Sequence, residues 1–120
     1  MTHETTVLQG LIDSDDVAVF LKDEQGRFVM VNHAVEKLFN RQESEILGKT
    51  DYDFSPKKLA DEYRKNDLQV TKQKTSSTFI EEVETSHGFR KYLSYKFPVK
   101  NGNGVTNAVG GIAINITEKN

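Results

Sequence analysis

No cysteine occurs among the 120 residues. Disulfides, thiolate catalysis, thiol metal sites and thiol photochemistry are therefore excluded together, and a reducing, cytoplasmic location is expected. Tryptophan is absent as well, and proline occurs only twice. No apolar run approaches the ~18 residues of a membrane span, and no signal-peptide pattern opens the chain. Neither sign of charge dominates. Sixteen Lys and Arg stand against 18 Asp and Glu, a net charge of −2, which provides no field for nucleic acid or an anionic membrane. No internal repeat or low-complexity segment is found. What is present, 36% hydrophobic and 28% charged residues, is the make-up of one soluble globular domain with a single core and room for one small cavity.

The stretch Ala108–Thr117 organises the rest. Ile112, Ile114 and Ile116 alternate onto one face, while Gly111, Ala113 and Asn115 take the other. Alternation of this kind marks a strand. Its greasy face must be covered, and its small-residue face lets something bulky approach the backbone. A strand used on both faces belongs in the middle of a sheet.

Upstream, Val7, Leu8, Leu11 and Ile12 fall at helical spacing, which predicts a short amphipathic helix over 4–13. Val17–Leu21 and Phe28–Val31 read as strands of a hairpin turning at Asp23–Gly26. Asn32 is placed to cap a helix through Phe39 that Asn40 ends, and a second short helix runs over Gln42–Leu47 to Gly48. Ser55-Pro56 opens a longer helix carrying Leu59, Tyr63, Asn66 and Val70 on one side, with Asp61 and Lys65 as an exposed pair. Strands then follow over 78–85 and 89–100, and the turn-prone Asn101–Gly104 leads into the closing strand. The fold class is α+β: a five-stranded antiparallel sheet with helices gathered on one face.

With these pieces in order, the chain resembles a PAS domain, the sensory module of bacterial kinases, cyclases and related signalling proteins. The residues that carry the resemblance are Phe20-x-Lys22-Asp23-x-x-Gly26-Arg27-Phe28-x-x-Val31-Asn32, then Glu45–Phe54, then Lys96-Phe97-Pro98-Val99, and finally Asn115-Ile116-Thr117-Glu118. The resemblance implies strand order 2-1-5-4-3. It divides the chain into an N-terminal cap helix (4–13), a core (17–117) and, over 118–120, the start of a linker to an output domain. Asn115, Thr117 and Glu118 stand at the family's exit motif, where aspartate is usual; asparagine carries no charge for a coupling salt bridge.

The family's inward face, combined with strand alternation, implies a ligand pocket lined by Phe20, Phe28, Met30, Glu81, Val83, Tyr92, Ser94, Lys96, Gly111 and Ala113, with Tyr52 closing from the helical side. In this register Glu81 and Lys96 are inward charges on neighbouring strands, either an internal ion pair or a pair that meets a ligand carboxylate. A slip of one residue would reverse the list. The opposite face presents Leu93, Tyr95, Phe97, Ile112, Ile114 and Ile116. So large an apolar surface requires cover, from Val7, Leu8, Leu11 and Ile12 of the first helix and from a second copy of the chain.

Catalytic signals are sparse. His3 is terminal, His33 opens a helix and His87 lies in a turn, so all three read as exposed rather than as acid–base groups. Asp51 and Asp53 are too few for a hard cation and read as caps of a tight turn. Without cysteine a flavin adduct is impossible, which leaves non-covalent flavin as an alternative to which no residue points; without histidine between Ser55 and Lys74 the family's usual haem ligation is absent, and no cofactor and no metal are expected. The expectation is thus a non-enzymatic, cytoplasmic, homodimeric sensor. It would bind a small ligand and control a linked output domain, a histidine kinase or a cyclic-dinucleotide enzyme, with no nucleic acid and no membrane contact. The alternatives are a docking or dimerisation domain with a filled core, and a small enzyme using Glu81.

Overall fold

In the computed structural model, which describes residues 2–100 and 106–117, the closing strand runs mid-sheet, as its alternation predicts. The antiparallel strands are β1 (Val17–Lys22), β2 (Phe28–Val31), β3 (Ser77–Thr85), β4 (Gly88–Lys100) and β5 (Thr106–Asn115), in the order β2-β1-β5-β4-β3. The expected turn at Asn101–Gly104 and Glu118 of the exit motif lie outside the described residues.

The helices are α1 (His3–Ile12), α2 (His33–Phe39), α3 (Glu43–Ile46) and α4 (Lys57–Gln73), with a single 3-10 turn at Asp51–Asp53. Ala18, Phe28, Val31 and Ala113 from the inner sheet face pack on Ala34, Val35 and Ile46. Phe39 stacks on Phe54 at 4.9 Å and meets Phe28 edge-on at 5.7 Å, closing the helical side with aromatic area. Asn40 takes the left-handed conformation (φ 54°) that ends α2, as expected of asparagine. Two local details differ from expectation. Pro56 sits one position earlier, at the N-cap of α4. Asp61 pairs with Lys57 at 2.9 Å, one turn behind it, instead of with Lys65.

The first helix forms but does not cover the outer face. None of its residues is buried, and Val7 and Leu8 are 69% and 57% exposed. It meets the sheet chiefly at β1, so Leu93, Tyr95 and Ile114 on β4 and β5 stay exposed.

Asn32 ties the first hairpin to the first loop and to α2. Its Oδ1 accepts from Val19 N at 2.9 Å and from Val35 N at 3.3 Å, and its Nδ2 donates to Val17 O at 2.8 Å and Ser14 O at 3.2 Å. Cap loss costs about 1 kcal/mol, and the Val19 N–H left unpaired in the interior adds a comparable amount. Asn32→Ala is expected to lower the unfolding free energy by roughly 2–3 kcal/mol in urea titrations. Asn32→Asp, which keeps the acceptor but turns an oxygen towards two carbonyls, should also destabilise.

Candidate functional site

Beneath the sheet lies a run of buried charges. Lys22 ends β1 on the inward face and donates to Asp51 Oδ2 at 2.6 Å and Asp67 Oδ2 at 2.9 Å. Lys96 on β4 donates to Asp67 Oδ1 at 2.7 Å, and its Nζ is also 2.7 Å from Glu81 Oε2. Asp67, from α4, therefore bridges two strand lysines with its two oxygens. Glu81 accepts in addition from Ser94 Oγ at 2.7 Å and Asn66 Nδ2 at 2.9 Å. Lys96 is only 1% exposed and Asp67 2%. Charges this deep persist only when paired and hydrogen-bonded, and among the described residues no buried side-chain polar atom lacks a partner. Burial alone would pull the Lys22 ammonium down, but Asp51 and Asp67 outweigh it and hold its pKa above the ordinary lysine range. Burial likewise opposes ionisation of Asp67, yet Lys22 and Lys96 hold its carboxyl below the usual carboxylate range.

Against this cluster sits a cavity of about 60 Å³, taken as the space open to the centre of a water molecule. That is room for a few waters or a small organic molecule. Of the eleven pocket residues expected from sequence, Phe20, Phe28, Glu81, Val83, Tyr92, Ser94, Lys96 and Ala113 line it. Three do not. A bulge pairs Lys22 with Phe28 but Leu21 with Met30, so β2 carries one extra residue and Met30 joins Leu21 on the opposite face. Tyr52 is 47% exposed and donates to Asp61 on the surface at 2.5 Å, because the Asp51–Asp53 turn sends Asp51 inward in its place. Gly111 faces inward, but the room above it is filled by the Phe20 ring.

Lys22, Asp51 and Asp67 were not legible as site residues. The spacing Ala18-Phe20-Lys22 already placed Lys22 on the inward face, and Asp67 falls one turn after Tyr63 in the buried stripe of α4. Asp53 does act as a local cap, accepting from Thr50 N at 2.9 Å. Asp51 is instead a partner of Lys22. From the helical side Val35, Leu38 and Phe39 complete the lining, and Ala18, Leu38 and Tyr92 also line an outer groove, so the wall there is one side chain thick. At the end of β5, Asn115 Oδ1 accepts from Thr117 N at 2.9 Å, and Thr117 Oγ1 accepts from Lys91 N at 2.8 Å.

The sequence matches the PAS fold family over residues 12–120. The chain belongs to that family. A PAS domain of Bordetella pertussis BvgS superposes with a TM-score of 0.75, at 22% identity, covering 98% of this chain and 90% of that one. The PAS domain of the Cronobacter turicensis RpfR quorum-sensing receptor, solved with BDSF, gives 0.71 at 17% identity, over 85% and 95%. VqmA bound to DPO gives 0.80 at 19% identity, over 92% and 57%. Among curated relatives, the methanogenesis regulatory histidine kinase FilI of Methanothrix harundinacea is 27% identical over 90% of this chain. An uncharacterized protein, y4lL, of Sinorhizobium fredii is 26% identical over 92%. The chain spans only 12% and 14% of the length of these two relatives. The PAS fold is thus shared with sensory domains of low identity, and the buried ions are read from this chain's own residues.

Two measurements check the ion cluster. Lys96→Met leaves Glu81 and Asp67 without their shared cation and should cost about 3–5 kcal/mol in urea unfolding, the usual penalty for breaking a buried pair. Stability should also follow pH on both sides. The lowered Asp67 carboxyl contributes fully above its unfolded value of about 3.9, and that contribution is lost as pH falls towards its folded value. The raised Lys22 ammonium contributes fully below about 10.4, and that contribution is lost as pH climbs towards its folded value. A plateau between these limits is expected, and Asp67→Asn should shrink the acid limb.

Proposed function

We propose that this PAS domain is a non-enzymatic sensor that takes a small, largely apolar, uncharged molecule into the cavity beneath its sheet. The single observation that carries this reading is an apolar cavity bordered by ions that already satisfy one another. Phe20, Phe28, Val35, Leu38, Phe39 and Val83 provide contact area, whereas Lys96 is taken up by Asp67 and Glu81. Two lysines already face the three carboxylates of Asp51, Asp67 and Glu81, so a ligand carboxylate would add a buried anion with no cation to pair it. The likeness to a VqmA chain bound to DPO and to RpfR chains with BDSF and C12:0 is in keeping with small-molecule uptake. Glu81 already engages Lys96, Ser94 and Asn66, which leaves it poorly placed to act as an acid or base and argues against the enzyme reading. No flavin or haem is part of the proposal.

The domain would signal as a homodimer through its outer sheet face, reaching a linked output domain, a histidine kinase or a cyclic-dinucleotide enzyme, by way of Asn115, Thr117 and Glu118. The relation to the histidine kinase FilI supports such a linkage. A second reading, a docking domain that binds nothing small, is favoured by the modest cavity volume of about 60 Å³.

A thermal-shift screen of cytoplasmic metabolites separates the two. A specific ligand at a hundred times its Kd stabilises the fold by about 2.7 kcal/mol and raises Tm. Ala113→Leu, which fills the cavity floor, should abolish that rise; a screen without hits favours the docking reading. For the outer face, Leu93→Asp and Ile114→Asp should each convert a dimer to monomers in sedimentation runs. A wild-type chain that sediments as a monomer at high concentration would remove the dimer.

A further inference from the structure

Two adjacent glycines in the central strand each carry a phenylalanine ring in the place of a side chain, on opposite faces. Phe20 of β1 lies directly across from Gly111, and Phe97 of β4 directly across from Gly110. A Cβ added at Gly111 would lie 2.8 Å from Phe20 Cε2 and closer still to Cζ. One added at Gly110 would lie 2.5 Å from Phe97 Cε2 and 2.7 Å from Cζ. Successive residues of a strand face opposite ways. The first ring therefore presses on the backbone from the cavity side and the second from the outer side. Between them stands a single layer of main chain.

This arrangement has two physical consequences. The Phe20 ring occupies the volume that the small residues of β5 would otherwise leave to the cavity, so its position decides how large a molecule fits. A glycine pair also has no Cβ to brace it and the widest backbone freedom, so it yields where a Val-Ile pair would resist. The Phe20 ring and the Phe97 ring thus rest on the two ends of the peptide that joins Gly111 and Gly110. Phe97 in turn packs on Tyr95 at 5.8 Å between centroids, within the exposed apolar surface of β4.

We propose that Phe20 is the size-setting, movable wall of the cavity, and that through Gly111 and Gly110 its position sets that of the Phe97 ring on the outer face. The proposal rests on the ligand-binding reading for its purpose. Its mechanics are present without any ligand, and the test uses that separation.

The experiment places 4-fluorophenylalanine at position 97 of the full chain and follows its fluorine resonance. Gly111→Ala pushes the inner ring off its seat and should move the resonance by more than its linewidth with no ligand added. Phe20→Leu, which removes the ring and overpacks nothing, should move it too and serves if Gly111→Ala fails to fold. Val35→Ala enlarges the same cavity from α2, away from Gly110, Gly111 and Phe97, and should leave the resonance in place. Benzene is the probe for size: Phe20→Leu should gain a benzene-dependent rise in Tm that the wild type lacks. A resonance that ignores both Gly111→Ala and Phe20→Leu, or that moves as far in Val35→Ala, overturns the through-sheet link. Equal benzene response in wild type and Phe20→Leu overturns Phe20 as the size-setting wall. A moved resonance together with an empty metabolite screen would leave the relay standing and remove only the sensing role.

Discussion

The pairing of Lys22 and Lys96 through the one carboxylate of Asp67 is the constraint on which the architecture depends. It joins the outgoing end of β1, the middle of β4 and the inner side of α4 at a point with almost no solvent exposure. Apolar packing is tolerant of small slips between layers, because area is nearly conserved when a side chain slides. Buried ions are not tolerant, since an ångström of separation exposes an unpaired charge to low dielectric. Asp67 thereby fixes the height and rotation of α4 over the sheet. Glu81 and Asp51 extend the same constraint to β3 and to the short turn before α4.

The same cluster defines the character of the cavity. Each ion on its border is paired with another ion, and Glu81 also accepts from Ser94 and Asn66. The free surface offered to a guest is mainly that of aromatic and aliphatic side chains. Here the polar groups are internal struts and the void is greasy.

Much of the fold was legible because period-two and period-3.6 patterns are strong in this chain. Ile112, Ile114 and Ile116 revealed a central strand, and the Asn32 cap and the Asn40 stop bounded α2 within a residue. The inward parity of β3, β4 and β5 followed from alternation combined with the inward face that the PAS resemblance implies, and brought Glu81, Val83, Tyr92, Ser94, Lys96 and Ala113 together. Parity fails where the ladder is irregular: the bulge in β2 turned Met30 away, and no local residue announces it. Asp51 and Tyr52 exchanged places because a 3-10 turn has neither periodicity to read. Lys22 and Asp67 escaped notice because a lone charge in an apolar stripe resembles an ordinary surface residue until its partners, distant in sequence, are known. Gly111 was correctly placed inward, but which ring would claim its space is a question of side-chain packing that alternation does not address.

The way the chain leaves the sheet carries a last consequence. Asn115, Thr117 and the main chain of Lys91 hold the final turn by neutral hydrogen bonds, with Ile116 N donating to Lys91 O at 2.8 Å. Neutral contacts of this sort are blind to ionic strength and to acidification, both of which loosen an exposed carboxylate–cation latch. With an amide in place of the aspartate usual in the family, the end of β5 is held without a side-chain charge that salt could screen or acid could remove.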